Sequence, residues 1–247
     1  MVNLLYTEIL KLKRSYMIII TVAGASVVPV INFLIFNAIR KTNMDVGVEV
    51  NFIIYAEQTI FFITLLVGVL LYGLLATYTF SREYEDDTLK NLLTVPVGRT
   101  KLLLSKYLLI LFWIMLLTIL ALVLCLLLSL IGGFGALSLE NILYAFNIYI
   151  LSGFFMFLLV MPIVFITKVF KSYVASIAFA IVIVIVSLVL SNSEYLGLYP
   201  WSAPIRILNP LVEVSAYPLW YSWASILLTG FISVFITIIY FNKQDIQ

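Results

Sequence analysis

Apolar and polar positions alternate along this chain in blocks much longer than the repeat of an amphipathic helix or strand. Six stretches are long enough to cross a hydrocarbon layer ~30 Å thick at ~1.5 Å per residue, and short polar segments separate them. They predict transmembrane helices over Tyr16–Ile39, Thr59–Phe80, Leu102–Ile131, Ile142–Thr167, Tyr173–Leu190 and Leu219–Phe241. The fifth, "IAFAIVIVIVSLVL", is rich in β-branched residues and would suggest a strand in water. In lipid an open strand leaves its backbone polar groups unpaired, so a helix is expected there too.

Ahead of the first block, "MVNLLYTEILKLKRS" sets Leu5, Ile9 and Leu12 at helical spacing, with Glu8, Lys11 and Arg14 elsewhere around the wheel. This pattern predicts an interfacial helix over residues 1–15. Ala23-Gly24-Ala25 has the form of a signal-peptidase site. The apolar run before it, Met17–Val22, is shorter than a normal signal core, and the hydrophobic stretch continues to Phe36, so no cleavage is expected.

Composition fits the block pattern. Hydrophobic residues make up 64% of the 247 and charged residues 11%, the balance of an integral membrane protein forming a single transmembrane domain over 1–247. The one cysteine, Cys125, falls inside an apolar run, where it reads as a small core hydrophobe. Histidine is absent, which removes the commonest metal ligand and general base. No catalytic residue and no metal site is expected.

The net charge is only +2, but its distribution is lopsided. Lys11, Lys13, Arg14, Arg82, Lys90, Arg99, Lys101, Lys106, Lys168, Lys171 and Lys243 fall on one side of the predicted spans; Arg40, Lys41 and Arg206 fall on the other. By the positive-inside rule both termini and the loop 82–101 are cytoplasmic. Within the predicted spans there is no Asp, Glu or Arg, and Lys106 is near enough to the cytoplasm for its ammonium to snorkel. Secondary transporters usually carry ionisable groups at membrane depth, so their absence argues for an external energy source. No G-x-x-x-x-G-K-[ST] occurs, and ATP chemistry would have to come from another polypeptide.

The most charged stretch is "REYEDDTLKNLLTVPVGR", Arg82 to Arg99. Asp86, Asp87 and Thr88 suit a helix start, Pro96 stops the helix, and Leu89, Leu92 and Leu93 share one face, opposite Lys90, Asn91 and Thr94. A two-turn helix is marginal alone in water and needs a cover for its leucines. The cover is either the headgroup layer or a groove on a cytoplasmic protein. The acids Glu83, Glu85, Asp86 and Asp87 favour the groove, because an anionic leaflet repels them. They can also be read as a divalent-cation site, although adjacent acids at a helix start are more often solvated caps.

This stretch, lying between a second and a third span, resembles the coupling region of ABC-2 type transporter permeases. The matching residues are Glu83, Thr88, Leu89, Leu92, Leu93, Pro96, Arg99 and Lys106, while Asp87 stands where the family usually has Gly and Gly98 where it often has Ser. Within that family the length and the "LYTEILKLKRS" opening look most like the bacitracin-export and lantibiotic-immunity permeases of Gram-positive bacteria.

The resemblance implies an all-α fold of six transmembrane helices, with a cytoplasmic N-terminal interfacial helix, a coupling helix between the second and third spans, and short re-entrant helices between the fifth and sixth. It implies docking of cytoplasmic ABC ATPase subunits through Glu83, Glu85, Asp87, Thr88, Leu89, Leu92, Leu93, Pro96 and Arg99, with ATP and Mg bound by those partners. It also implies a second permease copy or a sister permease, residence in the cell membrane, and export of an amphipathic antimicrobial peptide or similar hydrophobic cargo. The protein would be no enzyme itself and would bind no nucleic acid.

The stretch "SNSEYLGLYPWSAPIRILNPLVEVSAYP" is apolar yet broken by four prolines. Tyr195, Tyr199 and Trp201 are expected at headgroup level, with Arg206 near Glu194, Glu213 or an anionic headgroup; the segment reads either as an outer gate or as an interfacial plug. Polar residues within the spans, among them Asn32, Asn37, Thr59, Thr64, Tyr72, Thr77 and Tyr78, either line a cargo path or hydrogen-bond between helices. Gly68, Gly73 and Gly153 are expected at close helix contacts. Two rival classes stay in view: a channel or secondary carrier working without an ATPase, and a membrane-embedded enzyme, for which the sequence offers few parts.

Overall fold

The computed structural model describes residues 2–13, 15–42, 51–85, 98–209 and 216–243. In chain order these form α1 (Val2–Lys13), α2 (Met17–Thr42), α3 (Phe52–Phe62), a π-helical turn (Ile63–Val67), α4 (Gly68–Glu85), α5 (Arg99–Gly132), α6 (Leu139–Phe170), α7 (Tyr173–Leu190), a 3-10 turn (Glu194–Gly197), α8 (Ala203–Leu208) and α9 (Leu219–Lys243). Six helical runs are long and apolar enough to cross a membrane, with α3, the π turn and α4 joined into one of them. No strand occurs among the described residues. The β-branched fifth stretch is helical, as backbone satisfaction in lipid requires.

The second span starts at Phe52, well before the expected Thr59. Glu57 and Gln58 hid this part of it. The Asn51 side chain caps the helix by accepting from the Ile54 N–H at 2.9 Å, and the Tyr144 hydroxyl donates to Glu57 Oε1 at 2.8 Å, so the polar pair is carried inside a helix.

The remaining ends are also set by local chemistry. Ser138 caps α6 through the Asn141 N–H. At the end of α5, Gly133 takes a left-handed conformation, and the N–H groups of Gly133 and Phe134 return to the Leu130 and Ser129 carbonyls. Arg40, near the end of α2, lays its guanidinium on the Gly132 and Gly133 carbonyls, a cation against the negative end of the α5 dipole.

The polar residues seen in the spans mostly tie helices together. Asn32 donates to Thr59 at 3.1 Å, Tyr55 to the Pro29 carbonyl at 2.8 Å, and Tyr149 to the Ala56 carbonyl at 3.2 Å. Thr64 meets Ser152 at 3.2 Å, and Thr167 meets Ser176 at 2.9 Å. Each such bond within lipid adds on the order of 1 kcal/mol. Together they connect α2, the second span, α6 and α7.

Glycine opens the closest crossings. A Cβ on Gly230 of α9 would stand 2.8 Å from the Leu158 Cβ and 3.3 Å from its Cα on α6, and one on Gly153 would stand 2.9 Å from the Thr118 hydroxyl on α5. Gly230→Val is therefore expected to destabilise the bundle by about 1–3 kcal/mol through overpacking, read as a lowered midpoint of unfolding in detergent. Gly135→Ala, where a Cβ meets nothing within 4 Å among the described residues, is the control; equal midpoints for the two variants would refute the close-contact role.

Candidate functional site

Chain direction places α1, the end of α4, the start of α5 and the end of α9 at one end of the bundle. A compact charged cluster joins them. Lys106, expected to snorkel to water, is instead 1% exposed. Its ammonium donates to Glu83 Oε1 at 2.9 Å, to Glu8 Oε2 at 3.2 Å and to the Thr79 carbonyl at 2.8 Å. The reason lies in α1: Leu5, Glu8 and Leu12 share a face that turns inward, so a carboxylate waits where the lysine would otherwise have needed water.

Lys11 closes the cluster, 2.6 Å from Glu8 Oε1 and 3.4 Å from Glu83 Oε1. Partial burial pulls the Lys11 pKa down, but the two carboxylates outweigh that and hold it above the ordinary lysine value. Arg82 donates to the Lys11 carbonyl at 3.1 Å, fixing the end of α1 to α4. Lys168, expected in a loop, sits in the last turn of α6, buried, with its ammonium 5.2 Å from the centre of the Phe80 ring and 4.3 Å from that of Phe241.

Of the residues predicted to meet a partner here, Glu83 is 3% exposed, and its Oε1 is shared by Lys106 and Lys11. In this structure it braces the bundle. Arg99 opens α5 and donates to the Phe241 and Asn242 carbonyls at 3.4 Å, capping the end of α9. Glu85 is the last residue of α4. Asp87, Thr88, Leu89, Leu92, Leu93 and Pro96 fall outside the described residues.

At the opposite end the 3-10 turn and α8 form a plug between spans. Trp201, expected at headgroup level, is 8% exposed and donates its indole N–H to the Leu159 carbonyl of α6 at 3.1 Å. That carbonyl satisfies the buried indole N–H, and the ring packs edge-on to Phe179. Tyr199 is partly buried, its ring tilted against that of Trp201 at 5.6 Å between centroids; Arg206, on α8, is also partly buried. Tyr195 alone of the three aromatics stays open, at 52% exposure. Ser202 ties the plug to itself through the Leu196 carbonyl at 2.8 Å.

Beneath the plug, Glu57, Phe61 and Thr64 of the second span face Ile205, Leu208 and Asn209 across a shallow apolar cleft. Among the described residues no group of three or more His, Cys, Asp or Glu side chains could hold a metal ion. The spans are less bare of charge than the apolar blocks implied: Glu57, Lys106 and Lys168 all lie within helices that can cross a membrane. Two of them are held in pairs, Glu57 with Tyr144 and Lys106 with Glu8 and Glu83. The Glu8 to Lys106 contact spans 98 positions, and the only hint of it in the sequence is that a carboxylate and a lysine each interrupt an apolar face.

Comparison with known proteins gives this geometry a context. Residues 4–187 match the family model of ABC-2 family transporter proteins. The chain is 44% identical over 191 residues to the bacitracin transport permease protein BCRB of Bacillus licheniformis, an overlap of 77% of this chain and 91% of that protein.

Proposed function

Because the chain belongs to the ABC-2 family of transporter proteins and is a multi-pass membrane permease, we propose that it is the membrane-spanning subunit of an ATP-driven exporter of amphipathic peptides. The energy enters through cytoplasmic ATPase subunits. These dock on the segment 86–97, with Leu89, Leu92 and Leu93 filling a groove on the partner and Asp87 and Thr88 starting the helix that carries them. The end bearing α1 faces the cytoplasm, as the eleven basic residues on that side favour.

The observation that carries this reading is the clasp at the two roots of that segment. Glu83 lies just before it and Lys106 two turns into the helix that follows it, and their 2.9 Å contact, shared with Glu8, makes the end of α4, the first turns of α5 and α1 one rigid base. A push on a short helix between those roots is delivered to two spans and to α1 together. ATP shifts such an equilibrium only through contacts that differ between states, and a rigid base is what lets a local contact reach the membrane.

The cargo reading follows the relative's name, bacitracin transport, and the apolar character of the plug and cleft. Removal of an antimicrobial peptide from the cell membrane, as in bacteriocin or lantibiotic immunity, is the form of export proposed, with a second permease copy or sister permease completing the pore in a Gram-positive cell membrane.

A channel or carrier working alone is the competing reading. The charges carried within span-length helices weaken one objection to it, since the spans are less bare than the apolar blocks implied. The bond of Glu57 to Tyr144 and the contacts of Lys106 with Glu8 and Glu83 give those two residues structural work instead. The deciding measurement is efflux of a labelled peptide from proteoliposomes holding the permease with and without its ATPase. We expect ATP-dependent efflux only with both; equal efflux from the permease alone would sink the exporter assignment.

A further inference from the structure

The second span changes its winding in mid-course, and it does so where it touches the plug. Ile63–Val67 wind as π-helix between α3 and α4, with the Gly68 N–H bonded to the Ile63 carbonyl. Such a turn is an uncommon departure from α-helix and is frequent at functional positions. One residue of α-helix turns the chain by about 100°, so relaxation of the π turn by one residue would rotate α3 against α4 by about that much.

Two contacts hold the π form. A Cβ at position 68 would stand 2.5 Å from the Ile63 oxygen, the same atom that accepts the Gly68 N–H, so glycine is what lets the bond close. Thr64 donates to the Ile60 carbonyl at 2.7 Å and accepts from Ser152 at 3.2 Å, tying the turn to α6.

The turn also holds the plug. Leu65, 2% exposed, forms a separate small apolar cluster with Leu196 of the 3-10 turn and Ile205 of α8, and Phe61 and Leu66 pack against it. The span is anchored on both sides of the turn. Tyr55 and Thr59 bond to α2, while Glu83 and the Thr79 carbonyl bond to Lys106. A rotation between the two anchored pieces has to be taken up in the turn between them.

The geometry points to a latch: the π turn Ile63–Val67 keeps the plug seated through Leu65, and its relaxation to α-helix during transport withdraws Leu65 from Leu196 and Ile205. This rests on the reading of the chain as an ATP-driven exporter subunit. Gly68 and Leu65 are positioning residues of that cycle, with no direct part in ATP chemistry.

The test is a Leu65→Cys, Ile205→Cys pair in a Cys125→Ser background, reconstituted with the ATPase in lipid nanodiscs and treated with a short bis-maleimide. Cross-linking is expected without nucleotide, to fall about tenfold after trapping with ATP and vanadate as the seated state loses its population. The linked complex is expected to lose peptide export. Gly68→Ala, which disfavours the π bond, is expected to lower cross-linking even without nucleotide. Cross-linking that is the same in both nucleotide states, or unchanged by Gly68→Ala, in a complex that exports normally overturns the latch alone. If the uncross-linked complex shows no ATP-dependent export, the exporter reading and the latch fall together.

Discussion

Lys106→Met is expected to destabilise the protein by about 3–5 kcal/mol, the cost of leaving buried carboxylates without their cation. Methionine keeps most of the side-chain volume, so a cavity cannot account for a loss of that size. Glu8 and Glu83 would each keep a contact with Lys11, at 2.6 and 3.4 Å, but Lys11 is partly exposed and lies farther from Glu83 than Lys106 does. Denaturant or thermal unfolding in detergent measures the loss. Adding Glu83→Gln to Lys106→Met is expected to return a large part of it, because the pair is then neutral on both sides. A Lys106→Met protein as stable as its parent, or a double variant no better than the single one, would contradict the clasp.

Replacing both Leu92 and Leu93 by Asp is expected to weaken association with the ATPase by about a thousandfold and to stop ATP-dependent export. Burying one leucine contributes ~1.5–3 kcal/mol, and each factor of ten in affinity is ~1.4 kcal/mol, so losing two side chains is worth roughly two to four decades. The expected contrast is Lys90→Ala, on the opposite face of the same predicted helix, with association close to the parent. Co-purification from detergent and ATPase stimulation in liposomes report the two effects separately. A well-folded Leu92→Asp, Leu93→Asp protein that still binds its ATPase would defeat the docking role.

Much of the architecture was legible in the chain because lipid imposes a length rule. The block Tyr173–Leu190 was recovered to the residue, because Lys171 and Ser172 before it and Ser191 to Glu194 after it mark its ends sharply, and Leu219 was found as the start of the last span just past Pro218. Where polar residues enter a span the rule falters. Glu57 and Gln58 masked the first two turns of the second span, because hydropathy sees a carboxylate and cannot see the tyrosine that answers it from α6.

The charged cluster was harder to read for the same reason. Lys106 was seen, but its environment depends on Glu8, whose inward face is chosen by how α1 packs on α5. Trp201 carried the composition of an interfacial residue and took an interior place, because the Leu159 carbonyl was there to accept its N–H. The π turn left no mark in the hydrophobic pattern at all: "ITLLVG" reads as ordinary apolar helix.

The order of the clasp along the polypeptide bears on how the protein is made. Glu8 and Glu83 are both synthesised before Lys106, so when the ribosome delivers the lysine-bearing span to the bilayer, its counter-charges are already waiting there. A buried lysine with no counter-charge would have to reach water or give up its proton, and a carboxylate already in place removes that need. The leading segment is thus made in time to receive a span that emerges long after it.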